Sequence, residues 1–519
     1  MIPLALGLDY GTESARGVLV DLETGREVAA AVERYPHGVL ERALPSGRPL
    51  PPLYALHHPA DYLTVTRKLI EHMGAEARRW GQVVGIGLDT TASSPLPTNA
   101  GGTPLALQEA FADEPHAYVK LWKHHAAEPY SQAINRAKPA FLTMYGGKTS
   151  AEWSLAKAWE VLEQAPAVWQ AAARWIEVGD WLVWQLTGQE VRSACQAGYK
   201  AHWQPGGYPD RQALAALHPE LFSWLDKLNP PQPVGQKAGG LSSQWATEGL
   251  AAGTPVAVAV IDAHAAVPGV GVEAPGTMVA ILGTSSCHLA LSPTARPTPG
   301  VAGIVQNGIL PGFYGYECGQ PATGDMLAWW VRTLSWVGGS SEAALFERLN
   351  QSLAERPAPS GLLALDWWNG CRTPRMDASL KGVLHGLRLD TDPVQIYQAL
   401  VEASALGTRL VRETLEQAVG PLERVVVTGG LSQSDPILQT YANVLGTPLE
   451  VSPTPQASAR GAALYGALAA GFPLPPALAP RRFTPDERSE AYQEVYLRYL
   501  ELAEFFGSAS QNPKEVSQA

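Results

Sequence analysis

Short apolar runs that stop abruptly at small polar residues recur along this chain. Residues 4–9 form one such run, ending in Asp9-Tyr10-Gly11-Thr12, and residues 17–21 resume the β pattern. Glu23-Thr24-Gly25 supplies a turn before residues 28–32, so three successive strands are predicted. Residues 83–88 read as a further strand, ending at Asp89-Thr90-Thr91. From 151 to 186 the pattern is helical, rich in Ala and Trp and poor in breakers. Strand-like runs return after Gly249. Residues 255–261 end at Asp262, and residues 277–282 lead into Gly283-Thr284-Ser285-Ser286 and a returning run at 288–291. Residues 424–427 run into Thr428-Gly429-Gly430. Each half therefore holds an apolar strand, a small-residue turn and a returning strand, a faint repeat of residues 9–20 in residues 283–291.

A Pro-rich connector over residues 473–480 precedes a final helix. Thr484 is its expected N-cap, Pro485 fits the first turn, Glu487 completes a capping box, and Gly507 is the expected stop. Tyr492, Val495, Tyr496, Tyr499, Leu502 and Phe506 form an apolar stripe, as expected of a helix that packs back and closes the fold. Residues 508–519 read as a loose tail.

Composition narrows the function classes. A chain of 519 residues is long enough for two or three domains with cores of their own. Its 38 basic and 49 acidic side chains leave a formal charge of −11, which argues against a general nucleic-acid binder. With 46% hydrophobic and 17% charged residues it is globular. Cys195, Cys287, Cys318 and Cys371 form no CxxC pair, so reduced, structural thiols are expected. The N-terminus lacks a basic segment, and uncharged stretches such as residues 274–295 are broken by Pro, Gly, Ser and Thr. The expectation is a soluble, cytoplasmic protein without membrane partners.

Two motifs fail on their context. Gly147-Lys148-Thr149 resembles the end of a P-loop, but Leu142 stands where the first glycine is required. The run starting Gly269-Val270-Gly271 imitates a dinucleotide fingerprint, yet a strand-like segment follows it where a helix is needed. The adjacent pairs His57-His58 and His124-His125 point apart on a helix or strand, so neither pair is read as a zinc site.

The polar strand ends carry the stronger signal. Asp9-Tyr10-Gly11-Thr12-Glu13-Ser14 puts a carboxylate, a glycine and hydroxyls into one tight turn. Such a turn can present N–H groups to phosphate oxygens while the carboxylate holds a magnesium ion, through water. Gly283-Thr284-Ser285 offers a second anion-cradling turn, and Gly429-Gly430 lets a ligand approach the backbone closely.

Residues 9–16, Asp262, residues 283–285 and 428–430 resemble the phosphate and adenosine motifs of the actin-like, ribonuclease-H-like ATPase superfamily. Gly382-Val383-Leu384-His385-Gly386-Leu387, with Gln395-Ile396 and residues 399–402, resembles the second signature of the FGGY carbohydrate kinases; Leu400 departs from that pattern. The resemblance runs from about residue 3 to 505. Within that family the ribulokinase subgroup is the most similar, through residues 7–14, Tyr54-Ala55-Leu56-His57-His58-Pro59, residues 119–126, Tyr145-Gly146-Gly147-Lys148 and Ser150-Ala151-Glu152-Trp153.

The resemblance implies an α/β, two-lobed fold with a nucleotide and sugar cleft between its domains. Residues 1–248 would be the main sugar-binding lobe, 249–475 the main ATP-binding lobe, and 476–519 the connector, closing helix and tail. It implies ATP-dependent phosphorylation of L-ribulose to L-ribulose 5-phosphate in L-arabinose breakdown, with Asp262 as catalytic base. Asp9 would hold Mg²⁺ through water. Gly11, Thr12, Arg16, Gly283, Thr284, Ser285, Gly429, Gly430 and Ser434 would bind ATP, although Ser434 stands where Asn is common. Ala92, through its backbone, with Lys200, Glu317 and Asp262 would bind the sugar, and Trp122 would wall its carbon face. Kinases of D-ribulose, ribitol or D-xylulose, or a non-catalytic sugar sensor, remain alternatives, and oligomeric state is left open.

Overall fold

The computed structural model describes residues 1–356 and 358–509. Seven strands build a first sheet: β1 (Pro3–Tyr10), β2 (Ser14–Asp21), β3 (Glu27–Arg34), β4 (Gln82–Thr90), β5 (Lys237–Gly240), β6 (Pro255–Ala257) and β7 (Val260–Ile261). Their order is β5-β6-β4-β1-β2-β3, and β7 also pairs with β4. A second seven-stranded sheet comprises β8 (Thr277–Leu282), β9 (Ser286–Ser292), β10 (Gly303–Gln306), β11 (Tyr314–Gln320), β12 (Arg424–Thr428), β13 (Leu449–Val451) and β14 (Arg481–Phe483). It runs β10-β11-β9-β8-β12-β13-β14.

The two sheets repeat one pairing scheme. In the first, β1 lies antiparallel to β2, β2 antiparallel to β3, and β4 parallel to β1. In the second, β8 is antiparallel to β9, β9 antiparallel to β11, and β12 parallel to β8. The internal likeness read from the sequence falls on the β1–β2 and β8–β9 hairpins. In each sheet, parallel pairing brings the C-terminal ends of neighbouring strands to one edge, where open α/β sheets bind ligands. The first sheet recruits residues 255–261, which lie beyond position 248.

The helices of the two halves include α1 (Ser154–Gln164), α2 (Ala194–Lys200), α3 (Asp262–Gly269), α4 (Thr323–Gly338), α5 (Pro393–Val419), α6 (Asp435–Leu445), α7 (Ala457–Ala469) and α8 (Ala491–Ala509). Separate apolar cores sit around each sheet, and a third, containing Trp159, Trp175 and Trp224, fills the helical part of the N-terminal half. Val260, Ala265, Val279, Leu289 and Tyr465 form a further cluster that joins strands of both sheets.

Small residues let α7 seat at backbone distance on β1, β4 and α3. A Cβ at Gly461 would lie 1.7 Å from the Ala265 carbonyl oxygen, and one at Gly87 would lie 1.9 Å from that of Ala462. No side-chain rotation relieves a clash with backbone, so Gly461→Val must push α7 away from α3. We expect it to lose about 3 kcal/mol in urea unfolding, the upper end for overpacking. An unchanged midpoint would contradict this packing.

Two sequence expectations are corrected. The continuous helix over 151–186 is broken by the strand Arg174–Glu177, which pairs antiparallel with Pro95–Thr98. The final helix starts at Ala491, not after a Thr484 cap, and it continues through Gly507 to Ala509. Asn443 draws the chain onto α6 by exchanging hydrogen bonds with the Asp486 side chain (3.0 Å) and N–H (2.9 Å). Asp486 then caps a short 3₁₀ turn, Glu487–Ser489. The expected packing stripe is present from Tyr492 to Leu502, but Phe506 stays exposed. Tyr492, Tyr496 and Tyr499 are buried and donate to Glu402 (2.9 Å), Glu413 (2.6 Å) and Asp366 (2.9 Å). Most of the expected tail, residues 510–519, lies outside the described residues.

Candidate active site

Three aspartates converge where β1, β4 and β7 end. Asp9 pairs in register with Asp89, Val260 sits opposite Asp89, and Asp262 follows Ile261 directly. Asp89 is fully buried, and neither of its oxygens meets an N–H or hydroxyl among the described residues. Burial, then the charges of Asp9 and Asp262, push its carboxyl well above the usual range. Asp9 is raised too: burial outweighs Arg16, whose Nη1 lies 3.6 Å from Asp9 Oδ2. The Asp89 oxygens, without N–H partners among the described residues and set beside the Asp9 carboxylate, make the hard oxygen donor set that a magnesium ion takes, so the pair fits that ion chemically.

Asp262 opens α3, with its Oδ1 accepting from the Ala263 N–H at 2.7 Å. Burial, with added repulsion from Asp9, raises its carboxyl to about 7, while Lys200 pulls the other way. A carboxylate that exchanges protons near neutrality suits general-base work.

Beside Asp262 lies a buried polar triad drawn from both lobes. Lys200, at the end of α2, places Nζ 3.3 Å from both oxygens of Glu317 on β11. His264, one turn into α3, sets Nε2 3.1 Å from Glu317 Oε2. Burial alone would raise the Glu317 carboxyl, but Lys200 and His264 hold it well below the usual range. An ionised acceptor beside an ammonium donor can orient several hydroxyls of a polyol.

Two hairpin turns face the same edge. Gly11 N–H donates to Ser14 O and Gly283 N–H to Ser285 O, both at 3.0 Å, so each turn is closed by its first glycine, the second being one residue tighter. At the second turn, the start of α4 bonds back: Gly324 N–H to Gly283 O and Asp325 N–H to Thr284 O, each 3.0 Å. Gly429 follows β12 with φ +97°, and a Cβ there would sit 2.6 Å from Leu282 O, so the chain can turn beside β8 only as glycine. Gly430 is open. Ser434 immediately precedes α6, its hydroxyl buried and without a hydrogen-bond partner among the described residues. Trp122 donates its indole N–H to Thr12 Oγ1 at 3.0 Å, which ties it to the first turn. Trp122, Thr284, Ser285 and Arg372 line a cleft of about 1060 Å³ between the two halves. Lys148 Nζ donates across that cleft to Met376 O, and Arg372 reaches Glu152 at 3.5 Å.

The expected site residues thus form two groups along one edge. Asp9, Asp262, Lys200 and Glu317 lie together, while Gly283, Thr284, Ser285, Gly429 and Gly430 flank the ends of β8 and β12. Sequence reasoning gave no role to Asp89 or His264. Leu88-Asp89-Thr90 repeats the apolar-run-then-Asp pattern of Leu8-Asp9-Tyr10, and that signal could have found Asp89. His264 is two residues from Asp262 and had no comparable signal. His37, His58 and Asp61 also gather within 4.8 Å, but His37 Nδ1 is bonded to Asp61 at 2.7 Å and His58 Nδ1 accepts from Ala60 N–H.

Residues 278–470 match the model of the C-terminal domain of the FGGY family of carbohydrate kinases. A ribulokinase from Bacillus licheniformis is 43% identical, covering 97% of this chain and 97% of that protein. One from Shouchella clausii is also 43% identical, over 97% of this chain and 95% of its own length. Among solved structures, a xyloylose kinase from Brucella ovis superposes with a TM-score of 0.81 at 24% identity, covering 96% of this chain and 98% of that one, which shows the shared fold.

Proposed function

This chain belongs to the FGGY family of carbohydrate kinases and phosphorylates a sugar with ATP, and we propose that its sugar is L-ribulose, converted to L-ribulose 5-phosphate in L-arabinose breakdown. Full-length similarity to ribulokinases supports the choice of sugar. The observation that carries the chemistry is Asp262: a carboxylate held near neutrality between the Asp9–Asp89 pair and the Lys200–Glu317–His264 triad.

In the proposed cycle the C-terminal lobe, residues 249–475, carries most of the ATP site, and residues 1–248 carry most of the sugar site. Thr12, Thr284 and Ser285 donate to phosphate oxygens, Gly11 and Gly283 close the two turns that bring them there, Arg16 adds a charge, and Gly429, Gly430 and Ser434 border the adenosine. The Ala92 backbone, Lys200 and Glu317 orient the sugar hydroxyls, and Trp122 walls the sugar's carbon face with its N–H anchored on Thr12. Asp262 accepts the proton of the terminal hydroxyl as that oxygen attacks the γ-phosphate. Phosphoryl transfer has a loose transition state, so alignment and charge neutralisation supply most of the rate. Mg²⁺ held by Asp9 through water, with Asp89 beside it, would neutralise phosphate charge. Closing the lobes would keep water from replacing the sugar. No helix among the described residues is long and apolar enough to cross a membrane; we place the enzyme in the cytoplasm.

The direct test is the position of the new phosphate. Incubation with L-ribulose and Mg-ATP should give a product whose phosphorus couples to C5 in NMR, and 5-deoxy-L-ribulose should give none. Phosphate at another carbon would overturn the role given to Asp262.

The pH dependence follows from the same residue. Asp262 works as a base only when ionised, and its pKa is raised to about 7. Activity should therefore fall on acidification: kcat/KM for the sugar should show a one-proton acid limb near neutrality and level off above it. A flat profile through that range would contradict the assignment.

A further inference from the structure

Lys157 stands in the first turn of α1, fully buried, in a position where an apolar side chain would ordinarily pack. Its Nζ donates to three backbone carbonyls: Leu121 at 2.6 Å, Ser93 at 2.8 Å and Lys120 at 3.3 Å. No carboxylate among the described residues lies within ion-pair distance of it. Glu177, at the end of the strand Arg174–Glu177, grips the same turn from the other side. It accepts from Ser94 N–H at 2.6 Å and from the Ser93 hydroxyl. Ser93 is thus held by an ammonium at its carbonyl and by a carboxylate at its hydroxyl.

What these charges hold is informative. The Thr91-Ala92-Ser93-Ser94 turn continues β4 just past Asp89. Leu121 precedes Trp122, whose indole is fixed on Thr12 in the first hairpin turn. One ammonium therefore ties the turn bearing Ala92 to the segment that reaches the phosphate-side turn. Glu177 also faces Lys200 electrostatically. Burial drags the Lys157 ammonium down to about 7, against the pull of Glu177, Glu152 and Glu160 and with the push of Lys120. A methionine would fill the volume without that desolvation cost, so packing alone does not account for an ammonium here.

We propose that Lys157 and Glu177 are positioning residues for sugar binding, clamping the Ala92 turn and the Leu121–Trp122 segment in register. The inference rests on the reading above that Ala92 and Lys200 contact the sugar. A clamp of this kind sets where the sugar lies while leaving the nucleotide turns intact.

The experiment varies L-ribulose and ATP separately in steady-state assays of Lys157→Met, Glu177→Gln and Lys200→Ala. Lys157→Met should raise the sugar KM about tenfold and leave the ATP KM within about twofold, the cost of a small misplacement of bound substrate. Glu177→Gln keeps the side-chain volume and should give the same selectivity with a smaller rise, about threefold. It decides the matter if Lys157→Met does not fold. An unchanged sugar KM, or equal changes in both constants, overturns the clamp. If Lys200→Ala raises the sugar KM while the other two do not, the clamp alone fails. If none of the three does, the assignment of the sugar pocket fails with it.

Discussion

Asp262→Asn should lower the rate of sugar phosphorylation by about 10³ while leaving Mg-ATP affinity within about twofold. Asparagine keeps the shape and can still accept from the Ala263 N–H, so the start of α3 is undisturbed. What it loses is the ability to take a proton. It also removes a charge that repels Asp89 and Asp9, so the variant should be no less stable than the parent. Rapid-quench kinetics with saturating sugar, beside equilibrium titration of a nonhydrolysable ATP analogue, separates the two effects. Near-normal turnover would remove Asp262 from the chemistry. A parallel loss of nucleotide binding would make it a structural residue.

Lys200→Ala should raise the sugar KM by about ten- to a hundredfold, the range for losing a hydrogen bond from a charged donor, with the ATP KM little changed. It also strips Glu317 of the neighbour that does most to keep its carboxyl ionised in a buried site. The effect on folding follows in sign. The folded-state pKa of Glu317 lies below its unfolded value, so the carboxylate contributes stability above the unfolded pKa, and that contribution fades on acidification. Removing Lys200 reduces the contribution, so the stability difference between parent and variant should hold at neutral pH and shrink as the pH falls below the ordinary glutamate range toward the folded-state pKa of Glu317. A difference that grew on acidification would mean that Lys200 and Glu317 are not coupled in this way.

The legible parts of this molecule were those written locally. Strand ends at Asp9, Asp262, Gly283 and Gly429 are marked by an apolar run meeting small polar residues, and the strands lie there because burial and turn chemistry agree. The strand Arg174–Glu177 was hidden because four residues between two helices are too few for alternation to register. The start of α8 is not legible locally because Asn443, 43 positions before Asp486, fixes Asp486 as the cap of a 3₁₀ turn that precedes the helix. The same reason explains the site. Lys200 and Glu317 are 117 positions apart, and Lys157 and Ser93 are 64 apart. Resemblance could nominate Lys200 and Glu317; nothing along the chain could nominate Lys157, whose importance lies in the carbonyls it meets. The FGGY-like second signature also gained a physical meaning. Its Glu402 accepts from Ser360 and Tyr492, fastening α8 and a loop to α5 rather than touching the cleft.

We propose that this strand-end site moves the γ-phosphate of ATP to L-ribulose. A coupled ADP-release assay with Mg-ATP against L-ribulose, D-ribulose, D-xylulose, ribitol and glycerol tests it most directly. L-ribulose should show the highest kcat/KM. Preference for another polyol would contradict the sugar assignment, and no sugar-stimulated ADP release in protein that binds ATP would contradict the site itself.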